Sequence, residues 1–286
     1  MSSVILNRIG NHIAWLPSDH STDRPVLGVI SGKRDTLLVD AGNSPAHVRL
    51  LRQALAQAHI APPTLLVLTH WHWDHVFGSG ALDLPTFASR ETRRVVAEMA
   101  QQDWSDAALD ARVENGSEIA FGRDMIKAEL PDRTGLVICP PTIAFTDTVD
   151  VDLGGVTAQI THVGGDHASD SSIVYIPEDK VVFLSDCLYP AIYAPERYYT
   201  PTHLFPLIDQ LLSYDADIYL TGHDDAPLSR AEIIEWTTLL KTTSQIVDRL
   251  KDDRAAIVDE LRRSAKLLPD DDPGELADLF LVGRGR

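Results

Sequence analysis

A chain of 286 residues with 44% hydrophobic and 23% charged residues is an ordinary globular mixture, which excludes disorder, collagen and coiled coil. The net charge of −17 disfavours nucleic acid and anionic lipid as partners, because both are polyanions. No apolar run reaches ~18 residues, the first residues do not form a signal peptide and there are only two cysteines, so we expect a cytoplasmic protein that contacts no membrane.

The first elements along the chain are predicted to be hairpin strands and a helix. Residues 4–15 and 26–39 alternate between apolar and polar side chains, with Gly-Asn and Gly-Lys turns inside them. A Ser-Pro start and apolar residues at helical spacing then predict a helix over 45–58. Short apolar runs predict buried strands over 64–68 and 85–88.

The middle of the chain is the least regular part. Residues 89–141 are helical in pattern to about residue 111, and we expect an insertion that covers a site or forms a solvated excursion. A capping box at Ser229 opens a long helix, and a second helix is predicted over about 253–268, before a loop over 270–273. Further strands are predicted over 143–145, 149–153, 156–162, 172–176, 181–185 and 217–221. Interleaved strands and helices, with hairpins among them, indicate an α/β or α+β protein with mixed sheets.

Four metal-binding side chains follow the strand over 64–68. They are His70, His72, Asp74 and His75, which fall within six residues. Imidazole nitrogen and carboxylate oxygen are standard zinc ligands and also suit iron or manganese. Because four ligands from one short loop cannot all reach a single tetrahedral ion, the pattern predicts two adjacent metals and further ligands from elsewhere.

Candidates for the remaining ligands lie at the ends of later strands, where loops build sites on a rigid sheet. His167 lies between two predicted strands, with His162 as its rival. Asp186 and His223 each follow a predicted strand directly. Each of the three is a weak signal alone, but their shared placement favours one common site.

The run from His70 to His75 resembles the signature of the metallo-β-lactamase superfamily, and the later candidates follow that family's order. Asp40 resembles the family's first motif, an aspartate that supports the metal loop. The resemblance covers roughly residues 1–225, so residues 226–286 form a helical C-terminal extension of one domain over 1–286. It implies an α/β fold, the four-layer αβ/βα sandwich, with the helical insertion at 89–141 and two metal ions at one edge.

The resemblance also implies a division of the ligands between two zinc ions. It assigns to the first zinc His70, His72 and His167, to the second Asp74, His75 and His223, and to both Asp186. A hydroxide between the metals would be the nucleophile, since zinc lowers the pKa of bound water to about 7 and polarises a carbonyl oxygen. Asp74 is well placed to orient that hydroxide or to pass a proton to the leaving group. The expected activity is zinc-dependent hydrolysis of a carbonyl-containing small molecule: a lactone, ester, thioester or amide.

Two departures from the zinc β-lactamases bear on the substrate. In their largest subclass the later ligand is a cysteine, whereas here Asp186 takes the place 19 residues after His167, with Cys187 as its rival. Those enzymes also have a lysine soon after that ligand, and this chain has none there, so β-lactamase activity is an alternative only. Tyr189 resembles a tyrosine of the acyl-homoserine-lactone lactonases that assists the substrate carbonyl; packing is the other interpretation.

Other functions stay open from the sequence. A single-iron oxygenase would need only two histidines and an aspartate. A non-catalytic metal-binding module would not need all seven candidate ligands. A nucleic-acid-processing member is disfavoured by the charge. The helices predicted over 229–268 could pack on the sandwich, form a homodimer contact or roof the cleft, and the sequence does not distinguish these three roles.

Overall fold

Two mixed β-sheets form the centre of the molecule in the computed structural model, which describes residues 5–267 and 271–286. The first sheet has seven strands that lie side by side in chain order. They are β1 (Asn7–Ile9), β2 (Ile13–Leu16), β3 (Leu27–Ser31), β4 (Thr36–Val39), β5 (Leu65–Val67), β6 (Thr86–Ser89) and β7 (Ile143–Phe145). Strands β1 to β4 pair antiparallel as the predicted hairpins, and β4 to β7 pair parallel. The predicted start of the first strand, residue 4, lies outside the described residues.

The second sheet has six strands in the order β13-β12-β11-β10-β9-β8. They are β8 (Thr148–Asp152), β9 (Thr157–His162), β10 (Ser172–Ile176), β11 (Val181–Ser185), β12 (Ile218–Thr221) and β13 (Leu228–Ser229). The helices are α1 (Pro45–Gln57), α2 (Trp73–Val76), α3 (Ser79–Leu82), α4 (Arg90–Met99), α5 (Asp106–Asn115), α6 (Ala120–Glu129), α7 (Pro201–Ser213), α8 (Arg230–Leu250), α9 (Arg254–Ser264) and α10 (Pro273–Gly283). Of the helices in these described ranges, none has the length and apolarity that a bilayer crossing requires.

The apolar strands are buried on both faces, which produces four layers. In β4, Leu37 and Val39 pack between the two sheets, while Leu38 packs against the helices outside the first sheet. In β11, Phe183 lies between the sheets and Leu184 faces the helices outside the second sheet. This alternation follows from the period of two along a strand. The αβ/βα sandwich is therefore confirmed.

The C-terminal helices pack on the outer face of the second sheet. Ile233 and Leu240 of α8, Ile257 of α9 and Phe280 of α10 share a buried cluster with Val182. The capping box at the start of α8 is present as predicted. Helix α10 was not predicted: its N-cap falls inside the expected loop over 270–273, of which residue 270 lies outside the described residues. The predicted end of the second helix at residue 268 also lies outside them, and α9 ends earlier.

The insertion is more regular than predicted. Its expected helix to residue 111 is interrupted after Met99, and α5 and α6 follow. The side chain of Glu129, the last residue of α6, is 2% exposed and accepts hydrogen bonds from Thr22, Arg24 and Ser44. These contacts tie the insertion to the loop before β3 and to the N-terminus of α1, so the insertion is part of the structure around the strand ends.

A buried carboxyl group in the loop before β10 is expected to make the stability of the fold depend on pH. Asp170 is 1% exposed, and burial raises its pKa from 3.8 to about 6. The folded state therefore holds this proton more tightly than the unfolded chain, so stability falls as the pH rises from about 4 to 6. A pKa shift of this size corresponds to a change of about 3 kcal/mol in the free energy of unfolding. We expect Asp170→Asn to raise Tm by several degrees at pH 8 and to leave it unchanged at pH 4, measured by calorimetry.

The exposed Asp259 gives the matched control, since Asp259→Asn removes a carboxylate from the surface of α9. An equal change of Tm at both pH values for Asp170→Asn would contradict the pKa argument.

Candidate metal centre

The seven residues selected from the sequence meet at one end of the sandwich, where loops from both sheets converge. Four of them follow β5, and the others follow β9, β11 and β12. Their potential ligand atoms form two groups, each with all atoms within 4.8 Å of one another. The groups are His70, His72, His167 and Asp186, and Asp74, His75, Asp186 and His223. Asp186 belongs to both, which is the division that the resemblance implies.

The Asp186 carboxylate is the centre of the arrangement. Its Oδ2 atom is 3.3 Å from His167 Nε2, 3.4 Å from His75 Nε2, 3.3 Å from His223 Nε2 and 3.9 Å from His70 Nε2. Its rival Cys187 belongs to neither group and is buried against the helices outside the second sheet. The structure thus directs Asp186, and not Cys187, towards the imidazoles.

Asp40 fixes the metal loop, as the resemblance implies. Its carboxylate accepts hydrogen bonds from the Thr69 backbone N–H at 2.8 Å, from the Thr69 hydroxyl at 2.9 Å and from His75 Nδ1 at 2.8 Å. The Ser185 hydroxyl donates to it from the end of β11. Because Nδ1 of His75 donates to Asp40, Nε2 is left to face Asp186. Asp40 therefore joins the loops of the two sheets and sets the orientation of one candidate ligand.

The residues present fit a divalent metal. The Nε2 atoms of His70, His72 and His167 are buried and make no hydrogen bond, and the same is true of Asp186 Oδ1. Buried polar atoms are almost always hydrogen-bonded, so a cluster of unpaired nitrogen and oxygen atoms that face one another indicates a cation as their common partner. Imidazole nitrogen with carboxylate oxygen is a donor set that zinc, iron and manganese accept.

The electrostatics differ between the two groups. Burial holds the pKa values of His70 and His72 well below the ordinary value, so both imidazoles are neutral. Burial also opposes the charging of His75 and His223, but the adjoining carboxylates, Asp186 among them, raise the pKa of both well above it. A metal bound there would therefore displace protons from His75 and His223 but none from His70 and His72.

A cavity of about 260 Å³ opens onto the candidate ligands. Tyr189 lines it, and its hydroxyl donates to Asp224 Oδ1 at 3.1 Å. Burial raises the pKa of Tyr189 well above its ordinary value, so the phenol keeps its proton. Phe121 of the insertion lines the same cavity, in line with the expectation that the insertion covers a site. Assistance to a substrate carbonyl by Tyr189 stays a prediction.

Two charged residues of the cavity were missed in the sequence, namely Asp23 and Arg197. Asp23 adopts a left-handed backbone with φ +58°, and its Oδ1 is 3.6 Å from His223 Nδ1. Burial raises the pKa of Asp23 to about 7, and the negative charge of the nearby Asp74 acts in the same direction. No local pattern distinguishes either residue. The alternative ligand His162 stays outside both groups, because its Nε2 donates to the Ser169 carbonyl at 2.9 Å.

Comparison with known proteins identifies the family to which the chain belongs. The family model of the metallo-beta-lactamase superfamily matches residues 26–276, and the chain belongs to that superfamily. The predicted limit of the resemblance at residue 225 was too short, because the match runs through α8 and α9 into α10.

Individual relatives are distant. A linear primary-alkylsulfatase of Pseudomonas sp. (strain ATCC 19151) is 23% identical over 273 residues, 84% of this chain and 50% of that protein. A metallo-beta-lactamase type 2 of Bacteroides fragilis is 23% identical over 155 residues, 54% of this chain and 49% of that protein. The chain thus spans about half the length of these curated relatives.

Solved structures agree on the fold. A stereoselective inverting sec-alkylsulfatase from Pseudomonas sp. has a TM-score of 0.65 at 15% identity, covering 99% of this chain and 50% of its own. A beta-lactamase domain protein from Burkholderia ambifaria has a TM-score of 0.60 at 16% identity, covering 98% of this chain and 87% of its own. At these identities the likeness concerns the fold alone.

Proposed function

We propose that this protein is a hydrolase with two zinc ions that cleaves a carbonyl-containing small molecule. The observation that supports this most is the position of the Asp186 carboxylate between two groups of candidate ligands. A carboxylate that faces imidazoles on both sides suits a bridging role between two cations.

The division of labour follows from the chain's own groups. When bound, zinc supplies a water of lowered pKa and a Lewis acid for the substrate oxygen. Asp74 Oδ2 lies 2.9 Å from His75 Nε2 and 3.2 Å from His223 Nε2, and although burial opposes ionisation, these imidazoles hold its pKa well below the usual range. An ionised Asp74 accepts a hydrogen bond from the attacking water and so orients it.

A lactone, ester, thioester or amide is the substrate class we favour, with β-lactams within it. A sulfate ester is the second candidate, because the named relatives include alkylsulfatases and because Arg197 brings a basic side chain to the cavity. Both candidates use the same nucleophile and differ in the bond that is broken, an acyl C–O, C–S or C–N bond in the first and a C–O or S–O bond of the sulfate ester in the second.

The direct test is a hydrolysis screen of the protein loaded with zinc, manganese or iron, with metal content measured for each. The panel contains homoserine lactones, β-lactams, thioesters, phenyl esters, alkyl sulfates and phosphodiesters. We expect two zinc ions per chain and turnover of an acyl compound. Turnover of alkyl sulfates alone would favour the second candidate. One iron per chain without hydrolysis would contradict the proposal and favour an oxygenase.

Asp74 provides a mutational prediction. We expect Asp74→Ala to lower kcat by at least about 10²-fold, because the water loses its orienting acceptor and proton path. The second metal is also expected to bind more weakly, as shown by zinc content after dialysis. Asp209→Ala, on the surface of α7, is the matched control. Unchanged turnover together with full zinc content in Asp74→Ala would remove Asp74 from the mechanism.

A further inference from the structure

The cavity at the metal centre contains a single lysine or arginine among its described lining residues. That residue is Arg197, in the loop between β11 and α7. Three carboxylates, Asp23, Asp74 and Asp186, line the same cavity. In a protein of net charge −17, a basic group at this place is the exception, and it marks a point where a negative charge would be favoured.

Arg197 is held by the last helix of the structure. Its guanidinium pairs with Glu275 in the first turn of α10, and both side chains are about half exposed. The loop itself rests on α10, because the Tyr199 backbone N–H donates to the Leu279 carbonyl at 3.1 Å. Exposed ion pairs contribute little to stability, so exchanging Glu275 for another anion requires little free energy. Arg197 is thus positioned over the cavity and still available.

Apolar side chains form the rest of the wall. Phe121 from α6 is 54% exposed, and Pro190 and Ile192 line the cavity from the loop that carries Arg197. An exposed phenylalanine at the rim of a polar site offers a surface for an apolar group. The cavity therefore combines one apolar wall, one guanidinium and the candidate metal ligands.

We propose that Arg197 is a specificity-determining residue that binds an anionic oxygen group of the substrate, a carboxylate or a sulfate, while the apolar wall receives a hydrocarbon part. The substrate is then an amphiphilic monoanion. Before the substrate binds, Glu275 holds the Arg197 guanidinium in place. This inference rests on the proposed hydrolase function and specifies its substrate class.

The kinetic test uses matched pairs of substrates, each a neutral phenyl ester and the same ester with a terminal carboxylate, together with an alkyl sulfate of equal chain length. We expect Arg197→Ala to raise KM for the charged compounds about 10–100-fold, the range of a charge-assisted hydrogen bond, with kcat little changed. KM for the neutral ester should stay the same, and Arg197→Lys should recover part of the loss. Glu275→Gln should lower KM for the charged compounds, since it removes the competing carboxylate.

Arg254→Ala is the matched control, because Arg254 pairs with Asp278 of the same helix α10 at similar exposure and lies outside the cavity lining. Equal changes of KM for neutral and charged esters in Arg197→Ala, or no change, would overturn the inference.

A binding measurement separates this inference from the hydrolase proposal. Octanoate and octanesulfonate are titrated calorimetrically into the zinc-loaded wild type and Arg197→Ala, with octanol as the neutral probe. We expect weaker binding of at least one anion to the variant and no difference for octanol, and the two anions distinguish carboxylate from sulfate recognition. Equal anion affinities in both proteins would overturn the role of Arg197. Absence of turnover with intact anion selectivity would contradict the hydrolase function alone.

Discussion

Asp186→Ala is expected to lose both metals and to lower turnover by more than about 10³-fold. Mutating a residue that only supports a metal ligand already lowers metal affinity or activity by about 10–100-fold, and Asp186 is itself a candidate ligand. Its carboxylate is the one group shared by the two ligand clusters, and three imidazoles lie within 3.4 Å of its Oδ2 atom. Removing it would take a negative charge from the centre of the site and a candidate ligand from each of the two groups. Zinc content after dialysis and kcat on the best substrate measure the two effects.

Cys187→Ala is the matched comparison, because it changes the adjacent side chain, which points away from the imidazoles into the core beside the C-terminal helices. We expect it to keep its zinc and to lose only a little stability. The reverse result, with zinc lost in Cys187→Ala and retained in Asp186→Ala, would show that the chain follows the cysteine pattern of the zinc β-lactamases.

Gly222→Ala is expected to have the second largest effect, although it removes no functional group. A Cβ at this position would lie 1.8 Å from Asp186 Oδ1 and 3.3 Å from His75 Cε1. The backbone cannot retreat easily, because the Gly222 N–H donates to the Ser185 carbonyl and its own carbonyl accepts from Val26. The Asp186 carboxylate must therefore move. We expect zinc affinity, measured by competition with a chromophoric chelator, to fall at least about 10²-fold.

Gly135→Ala is the control for this substitution, since no atom lies within 4 Å of the Cβ it would introduce. Unfolding of the zinc-free Gly222→Ala protein should show a Tm close to that of the wild type. If Gly222→Ala bound two zinc ions with undiminished affinity, the close approach of the two strand ends would not be required for the site.

The candidate ligands could be found from the sequence because their signal is local or ordered. One short loop contains four metal-binding residues within six positions, and this density is visible in the sequence: His70, His72, Asp74 and His75. Asp186 and His223 follow strands that are visible as apolar runs, and His167 follows a strand in which polar and apolar residues alternate. Asp40 was reached only through the family resemblance, since a single aspartate after a strand has no pattern of its own.

Local patterns failed where tertiary contacts override them. Residues 89–141 are the least regular part of the sequence pattern, yet they contain the regular helix α6, which includes Gly122, where an added Cβ would lie 2.7 Å from Glu118 Oε1. Helix α7 contains Pro206 and follows a proline- and tyrosine-rich loop, so its apolar spacing was masked. Asp23 and Arg197 reach the cavity through contacts with His223 and Glu275, which are distant in sequence. Such neighbours follow from the packing of the layers, and no window of the sequence contains them.

Because both sheets contribute to the candidate metal centre, ions bound there would cross-link the two halves of the molecule. The loop after β5 belongs to the first sheet, while His167, Asp186 and His223 follow strands of the second. Ions bound there join parts of the chain that an unfolded state would separate. By mass action, a ligand held only by the folded state adds about 2.7 kcal/mol at a hundred times its dissociation constant. The resistance of this protein to unfolding would then depend on the metal supply as much as on its core, and His223, late in the chain, would complete the cross-link only after most of the chain has been made.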